Sequence, residues 1–177
     1  MTRIREVLFI LLDWLNYNKK KLRLTINAAN LVVFDLDNTL ADTWPCLVKG
    51  GYSRKAYASA KPIRGVINKL KEYESKGYKI LILTARKMEL FRVTRDWLKE
   101  NNISSECIIV PSARHKLKYL RLLVSKYASV IYYDDLSYNQ ERGQEKLYSD
   151  IIRAVQELNL QYHGLSEIKK LRDEEIN

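Results

Sequence analysis

Four stretches of the chain are almost wholly apolar: Leu31–Phe34, Lys79–Leu83, Cys107–Val110 and Val130–Tyr133. Runs this short, rich in Val and Ile, read as strands buried on both faces of a sheet. Between them the apolar positions recur at helical spacing. Ile63, Val66, Ile67 and Leu70 predict a helix over Pro62–Lys76, closed by Gly77. Leu90, Val93, Trp97 and Leu98 predict one over Glu89–Glu100, and Leu117, Leu120 and Val124 one over His115–Tyr127. Further on, the pattern predicts a helix over Ser149–Leu158, a short edge strand over Leu160–His163 and a last helix over Ser166–Glu175, with Ser166 as its cap. Strand then helix in alternation is the signature of a three-layer α/β fold built on a doubly wound parallel sheet.

Two segments fall outside this alternation. Residues 2–18 carry Ile4, Val7, Leu8, Leu11, Leu12 and Leu15 on one helical stripe, followed by Lys19, Lys20, Lys21 and Arg23. The reading is an N-terminal amphipathic helix and basic connector over residues 1–28, preceding one domain over residues 29–177. That helix packs on the domain core or supports self-association; the alternative is contact with a membrane surface. Ala41–Lys61, with Trp44, Tyr52, Arg54, Lys55 and Tyr57, reads as a loop or very small insertion above the strand tips, too short for a separate lid domain.

Composition narrows the partners. The chain of 177 residues has 31 Lys and Arg against 21 Asp and Glu, a formal charge of +10. That balance favours anionic partners such as nucleic acid or phosphorylated metabolites. Two cysteines without metal-ligand spacing point to a reducing, cytoplasmic setting, and no stretch is apolar enough to be a transmembrane segment.

Where the strands stop, chemistry begins. The first leads into Asp35-Leu36-Asp37-Asn38-Thr39-Leu40, the second into Thr84-Ala85-Arg86, and the fourth into Asp134-Asp135. His115-Lys116-Leu117-Lys118 opens the helix beyond the third. In a parallel sheet these tips share one edge, where ligands bind in open α/β folds. Carboxylates gathered there need a cation, and an all-oxygen set suits Mg²⁺. One carboxylate can then act as nucleophile and a second as proton donor and acceptor, while a hydroxyl and an ammonium cradle a phosphoryl group. Taken alone, the first tip also reads as a strand followed by an Asp/Asn-capped turn.

Asp35-Leu36-Asp37-Asn38-Thr39-Leu40, Thr84, Lys116 and Asp134-Asp135, in that order, resemble the motif set of the haloacid dehalogenase superfamily of phosphotransferases. The resemblance implies a Rossmann-like fold with a minimal cap and a Mg²⁺ cofactor. It implies Asp35 as nucleophile and metal ligand, Asp37 as general acid/base that also lends its backbone carbonyl to the metal, Thr84 on the phosphoryl oxygen, and Lys116 neutralising both. Asp134 then ligates the metal beside Asp135, with their roles exchangeable, and Lys118 is the alternative to Lys116. Thr84-Ala85-Arg86 with Arg92–Leu98 is similar to the phosphatase domain of polynucleotide kinase 3′-phosphatases, where an Arg close after the Thr helps hold the substrate phosphate; here that residue is Arg86. Asn38, Thr84, Ala85 and Arg86 are accordingly the expected substrate-binding residues. Two features depart from that group: no Gly-rich phosphate loop is present, and Asp135 is followed by Leu136-Ser137-Tyr138-Asn139 rather than Arg. The expectation is a Mg²⁺-dependent phosphomonoester hydrolase working through an aspartyl-phosphate, acting on nucleic acid 3′-phosphate ends. The alternatives are a nucleotide or other small phosphometabolite as substrate, or a non-catalytic basic nucleic-acid or protein binding module.

Overall fold

The computed structural model describes residues 7–13, 17 and 27–174. Helix α1 covers residues 7–13. The other positions of the N-terminal helix and connector read from the sequence lie outside the described residues, among them Ile4, Leu15 and Lys19 to Arg23. Strand β1 (Asn27–Phe34) is followed by β2 (Ala41–Asp42), α2 (Trp44–Gly50), α3 (Arg54–Ala58), β3 (Lys61–Pro62), α4 (Arg64–Ser75) and β4 (Lys79–Thr84). Then come α5 (Phe91–Glu100), β5 (Glu106–Ile109), α6 (Ala113–Val124), β6 (Tyr127–Tyr133), β7 (Ser137–Tyr138), β8 (Lys146–Leu147), α7 (Ser149–Gln156), β9 (Gln161–His163) and α8 (Leu165–Asp173).

The main sheet has five parallel strands in the order β5-β4-β1-β6-β9. The two-residue period of β1 divides the core between its faces. Val32 and Phe34 pack with Val66 and Leu70 of α4, Trp97 and Leu98 of α5 and Ile168 of α8. Leu31 and Val33 pack with Leu117, Leu120 and Leu123 of α6 and Ile151 and Val155 of α7. The result is a three-layer, doubly wound α/β fold of the Rossmann-like type. The winding of the parallel strands reverses at β1, which has β4 on one side and β6 on the other.

Register carries the tips to one edge. Phe34 lies opposite Tyr133, and Asp35 N continues the ladder by donating to Tyr133 O at 2.8 Å. Asp134 N donates to His163 O at 3.1 Å, so the carboxylates emerge at adjacent positions.

Several local expectations are corrected. Ala41–Lys61 takes the second of its two expected forms, a very small insertion and not a loop: β2 and β3 pair antiparallel at its base, and α2 and α3 form a small helical cap. Ser53 supplies the cap of α3, its Oγ accepting from Ala56 N at 3.2 Å. α6 ends at Val124 and β6 already starts at Tyr127, because Tyr127 and Ser129 extend the ladder to Asn27 and Asn30 beyond the apolar core. α8 is capped by the Gly164 backbone, with no side-chain bond from Ser166. The hairpin of β7 and β8 had no apolar pattern to announce it.

α1 differs from a core-packed helix. Val7, Leu8, Ile10, Leu11 and Leu12 are exposed, and Asp13 anchors the segment by pairing with Lys118 and accepting from Tyr119 OH at 2.8 Å. No helix among the described residues is long and apolar enough to cross a membrane.

Helices α4 and α8 approach so closely at Gly65 that a Cβ there would stand 1.9 Å from the Leu171 backbone oxygen. Gly65→Ala is therefore expected to destabilise the fold by about 1–3 kcal/mol, the usual cost of overpacking. Urea denaturation measures it, and an unchanged midpoint would show that the helix pair can spread freely.

Candidate active site

Asp35, Asp134 and Asp135 are all buried at the carboxyl edge of β1 and β6, and each offers an oxygen within 4.8 Å of those of the others. Lys116, in the second turn of α6, reaches under them. Its Nζ lies 2.8 Å from Asp35 Oδ1 and 2.7 Å from Asp134 Oδ2. Lys118 points elsewhere, to Asp13, so Lys116 is the lysine of this site.

Each carboxylate has its own support. Asp134 accepts from Tyr132 OH, from Lys116 Nζ and, at 2.9 Å, from Leu136 N. Leu136 has φ of +42°, an uncommon conformation for a bulky residue, and in it the N–H faces back to that carboxylate. Asp135 accepts from Thr39 Oγ1 at 3.4 Å, Gln140 Nε2 at 3.3 Å and Ser137 Oγ. Asp35 is the least satisfied. Lys116 stands at ion-pair distance but off the line of a hydrogen bond, leaving the buried Oδ1 without a hydrogen-bond partner.

Burial pushes the Asp35 carboxyl up to about 7; Lys116 opposes this, and Asp134 and Asp37 add to it. Burial likewise raises Asp135 well above the carboxylate range, with help from Asp134 and Asp35. Lys116 moves upward, because the pull of Asp134 and Asp35 outweighs the opposing effect of its burial. Three buried carboxylates against one ammonium leave an excess of negative charge in a low-dielectric place. With the orphaned Asp35 oxygen, that all-oxygen set fits a hard divalent cation such as Mg²⁺.

The cluster opens into a cleft of about 250 Å³ lined by Asp35, Asp37, Asn38, Ala85, Lys116, Asp134 and Asp135, with Ser112, Ser137 and Tyr148 on its walls. A larger cavity of about 570 Å³ beside Phe91 and Lys99 holds none of these carboxylates, so charge rather than volume marks the site. Asp37 lines the cleft outside the buried trio, with its carboxylate paired to Arg86. Asn38, at φ of +56°, spends its Oδ1 on Thr43 Oγ1 and Trp44 N, holding the entrance to the cap. Thr84 is fully buried at the tip of β4, where Arg86 N donates to its Oγ1 at 3.4 Å. Arg86 is buried as well and does not line the cleft.

Thr39, Tyr132, Ser137, Gln140, Thr94 and Tyr57 were not singled out from the sequence as site residues. Thr39 and Ser137 stand next to the acidic motifs, and strand alternation could have flagged Tyr132. Tyr57 lies in the segment expected above the strand tips and Thr94 in the Arg92–Leu98 stretch of the resemblance, but the sequence gives neither of them a partner at the site.

Residues 32–135, more than half of the chain, match the family described as "PITM 1-3, LNS2 domain". The chain belongs to the LNS2 domain family. The matched span of this LNS2 domain runs from β1 through Asp135 and so includes every acidic residue of the cluster. No curated protein matches the chain. Among solved structures, one described as the Pnkp1/Rnl/Hen1 complex is similar at a TM-score of 0.54 and 23% identity, over 78% of this chain and 46% of the other. A second structure, of the Pnkp1/Rnl/Hen1 RNA repair complex, gives 0.53 and 22%, over 80% and 46%. The class C acid phosphatase from Bacillus anthracis gives 0.52 and 19%, over 96% and 91%. The LNS2 domain thus spans less than half of the Pnkp1-complex chains and nearly all of the acid phosphatase, and shares its fold with both.

A raised carboxyl binds more protons in the folded chain than in the unfolded one between about pH 4 and pH 7, so metal-free stability is lost as pH rises through that window. His163, lowered by burial, acts in the opposite sense, so wild type is compared with Asp35→Asn. In chelator, the melting temperature of Asp35→Asn relative to wild type is expected to climb from pH 5 to pH 7.5, and Mg²⁺ is expected to raise that of wild type more at the higher pH. A relative melting temperature that stays flat would contradict the Asp35 shift.

Proposed function

We propose that this LNS2 domain is a divalent-metal-dependent phosphomonoester hydrolase. The observation that carries the reading is the buried trio of Asp35, Asp134 and Asp135 set on Lys116 at the mouth of an open cleft. Asp35, Asp134 and Asp135, with the Asp37 backbone carbonyl implied by the motif, would hold Mg²⁺. When bound, the metal would neutralise phosphoryl oxygens and keep Asp35 ionised.

The remaining chemistry belongs to the chain. An Asp35 oxygen attacks phosphorus, the bond from phosphorus to the ester oxygen breaks, and the departing oxygen takes a proton from Asp37. Water then attacks the aspartyl-phosphate and gives its proton to Asp37. The bond to Asp35 breaks, releasing inorganic phosphate and restoring both carboxyl groups. Lys116 offsets charge on Asp35 and the phosphoryl group, and Ala85 borders the phosphoryl position from the cleft wall, while Thr84, fully buried and outside that lining, supports the β4 tip behind it. The sheet topology accounts for this convergence.

For substrate we favour a phosphorylated nucleic acid end. A cap of two short helices leaves the cleft open to a long molecule, and the formal charge of +10 suits a polyanion. The structural likeness to a chain of an RNA repair complex agrees with this choice.

Phosphate release is to be measured with and without Mg²⁺ on a 3′-phosphorylated oligonucleotide, its 5′-phosphorylated counterpart, a nucleoside monophosphate and an aryl phosphate. The expected result is Mg²⁺-dependent release, fastest from the 3′ end, and a loss of at least about 10³-fold in Asp35→Asn. Full activity in that variant would sink the mechanism, and preference for the nucleoside monophosphate would move the substrate to small phosphometabolites. Salt-sensitive oligonucleotide binding without release from any substrate would make the domain a binding module.

A further inference from the structure

We infer that Arg86 is a positioning residue for Asp37 rather than a ligand of the substrate phosphate, and that the cap holds it in place through Tyr57; this rests on the hydrolase reading above. Arg86 Nε lies 3.0 Å from both Asp37 carboxylate oxygens, and a terminal nitrogen adds 2.8 Å to Oδ1. The other terminal nitrogen donates to Thr94 Oγ1 at 3.3 Å on α5. The Tyr57 ring of α3 covers the guanidinium with its centroid 5.0 Å away.

These contacts leave Arg86 little freedom. Its side chain is 0% exposed, while that of Asp37 is 27% exposed and lines the cleft. A guanidinium planted among a carboxylate, a hydroxyl and an aromatic face is fully engaged, whereas its carboxylate partner still faces the reacting space. A bidentate fork fixes both the place and the plane of a carboxylate, which a point charge does not. Four separate pieces of chain meet here: the β1 tip with Asp37, the β4 tip with Arg86, α3 of the cap with Tyr57 and α5 with Thr94. Arg86 thus ties the group that must give and regain a proton to α3 of the cap.

The two roles for Arg86 separate by leaving group. kcat/KM reports steps through formation of the aspartyl-phosphate, and only a poor leaving group needs a proton from Asp37 in that step. Two substrates are therefore compared with Mg²⁺: a 3′-phosphorylated oligonucleotide, with an alkyl leaving group, and 4-nitrophenyl phosphate, whose leaving group departs unaided. In Arg86→Lys, kcat/KM is expected to fall about 10- to 100-fold on the alkyl ester and less than about threefold on the aryl ester. The double variant Arg86→Lys/Asp37→Asn should be no slower than Asp37→Asn alone. Tyr57→Leu, and Thr94→Val should the lysine variant fail to fold, are expected to give the same selective loss in weaker form. Equal losses on both esters, or full additivity with Asp37→Asn, would make Arg86 a phosphate ligand and overturn the inference. If wild type hydrolyses neither ester, the hydrolase reading itself falls and this assignment with it.

Discussion

Everything in this fold answers to the difficulty of burying Asp35, Asp134 and Asp135 around a single ammonium. Charges removed from water cost several kcal/mol apiece unless each is matched. The surrounding chain matches them one by one: Lys116 between Asp35 and Asp134, Tyr132 and the Leu136 N–H on Asp134, Thr39, Ser137 and Gln140 on Asp135. Among the three carboxylates, Asp35 Oδ1 alone is left with the Lys116 ion pair and no hydrogen bond. Burial first, and then the neighbouring carboxylates, push the proton affinity of Asp35 and Asp135 upward.

The sheet exists in the form that makes this crowding possible. Parallel strands end together, and the pairing of Phe34 with Tyr133 brings Asp35 beside Asp134 without any loop having to reach. The apolar alternation of β1 feeds both faces, so α4, α5 and α8 on one side and α6 and α7 on the other clamp the strand that leads into Asp35. Lys116 comes from α6, whose other buried positions are core leucines and a tyrosine. A charged group so placed is held by packing on its own helix before any ligand arrives.

Above this rigid edge the cap is slight. Two short helices on a two-stranded base are pinned by Asn38 to Thr43 and Trp44, and by Trp97 Nε1 donating to Ala60 O at 2.7 Å. Such a cap does not enclose a substrate. It touches the cleft lining where Tyr57 lies over Arg86 and Arg86 grips Asp37. Nothing of comparable closeness links the exposed apolar residues of α1 to the cleft; that segment is fastened to α6 through Asp13.

Much of this was legible in the chain as a string. Apolar runs ending in Asp35, Thr84 and Asp134 are enough to infer a parallel sheet, its functional edge and an acidic site, because strand period and buried charge are local signals. Lys116 was legible too, though only the phase of α6 separates it from Lys118. A minimal cap was expected, but its helices and strands and the β7–β8 hairpin were not legible: these elements are two to seven residues long and carry no apolar period. Nor could sequence show Arg86 turned onto Asp37 or Tyr57 stacked above it. Those contacts join residues 49 and 29 positions apart, and only the packing of β1, β4 and α3 decides which partner a buried guanidinium finds.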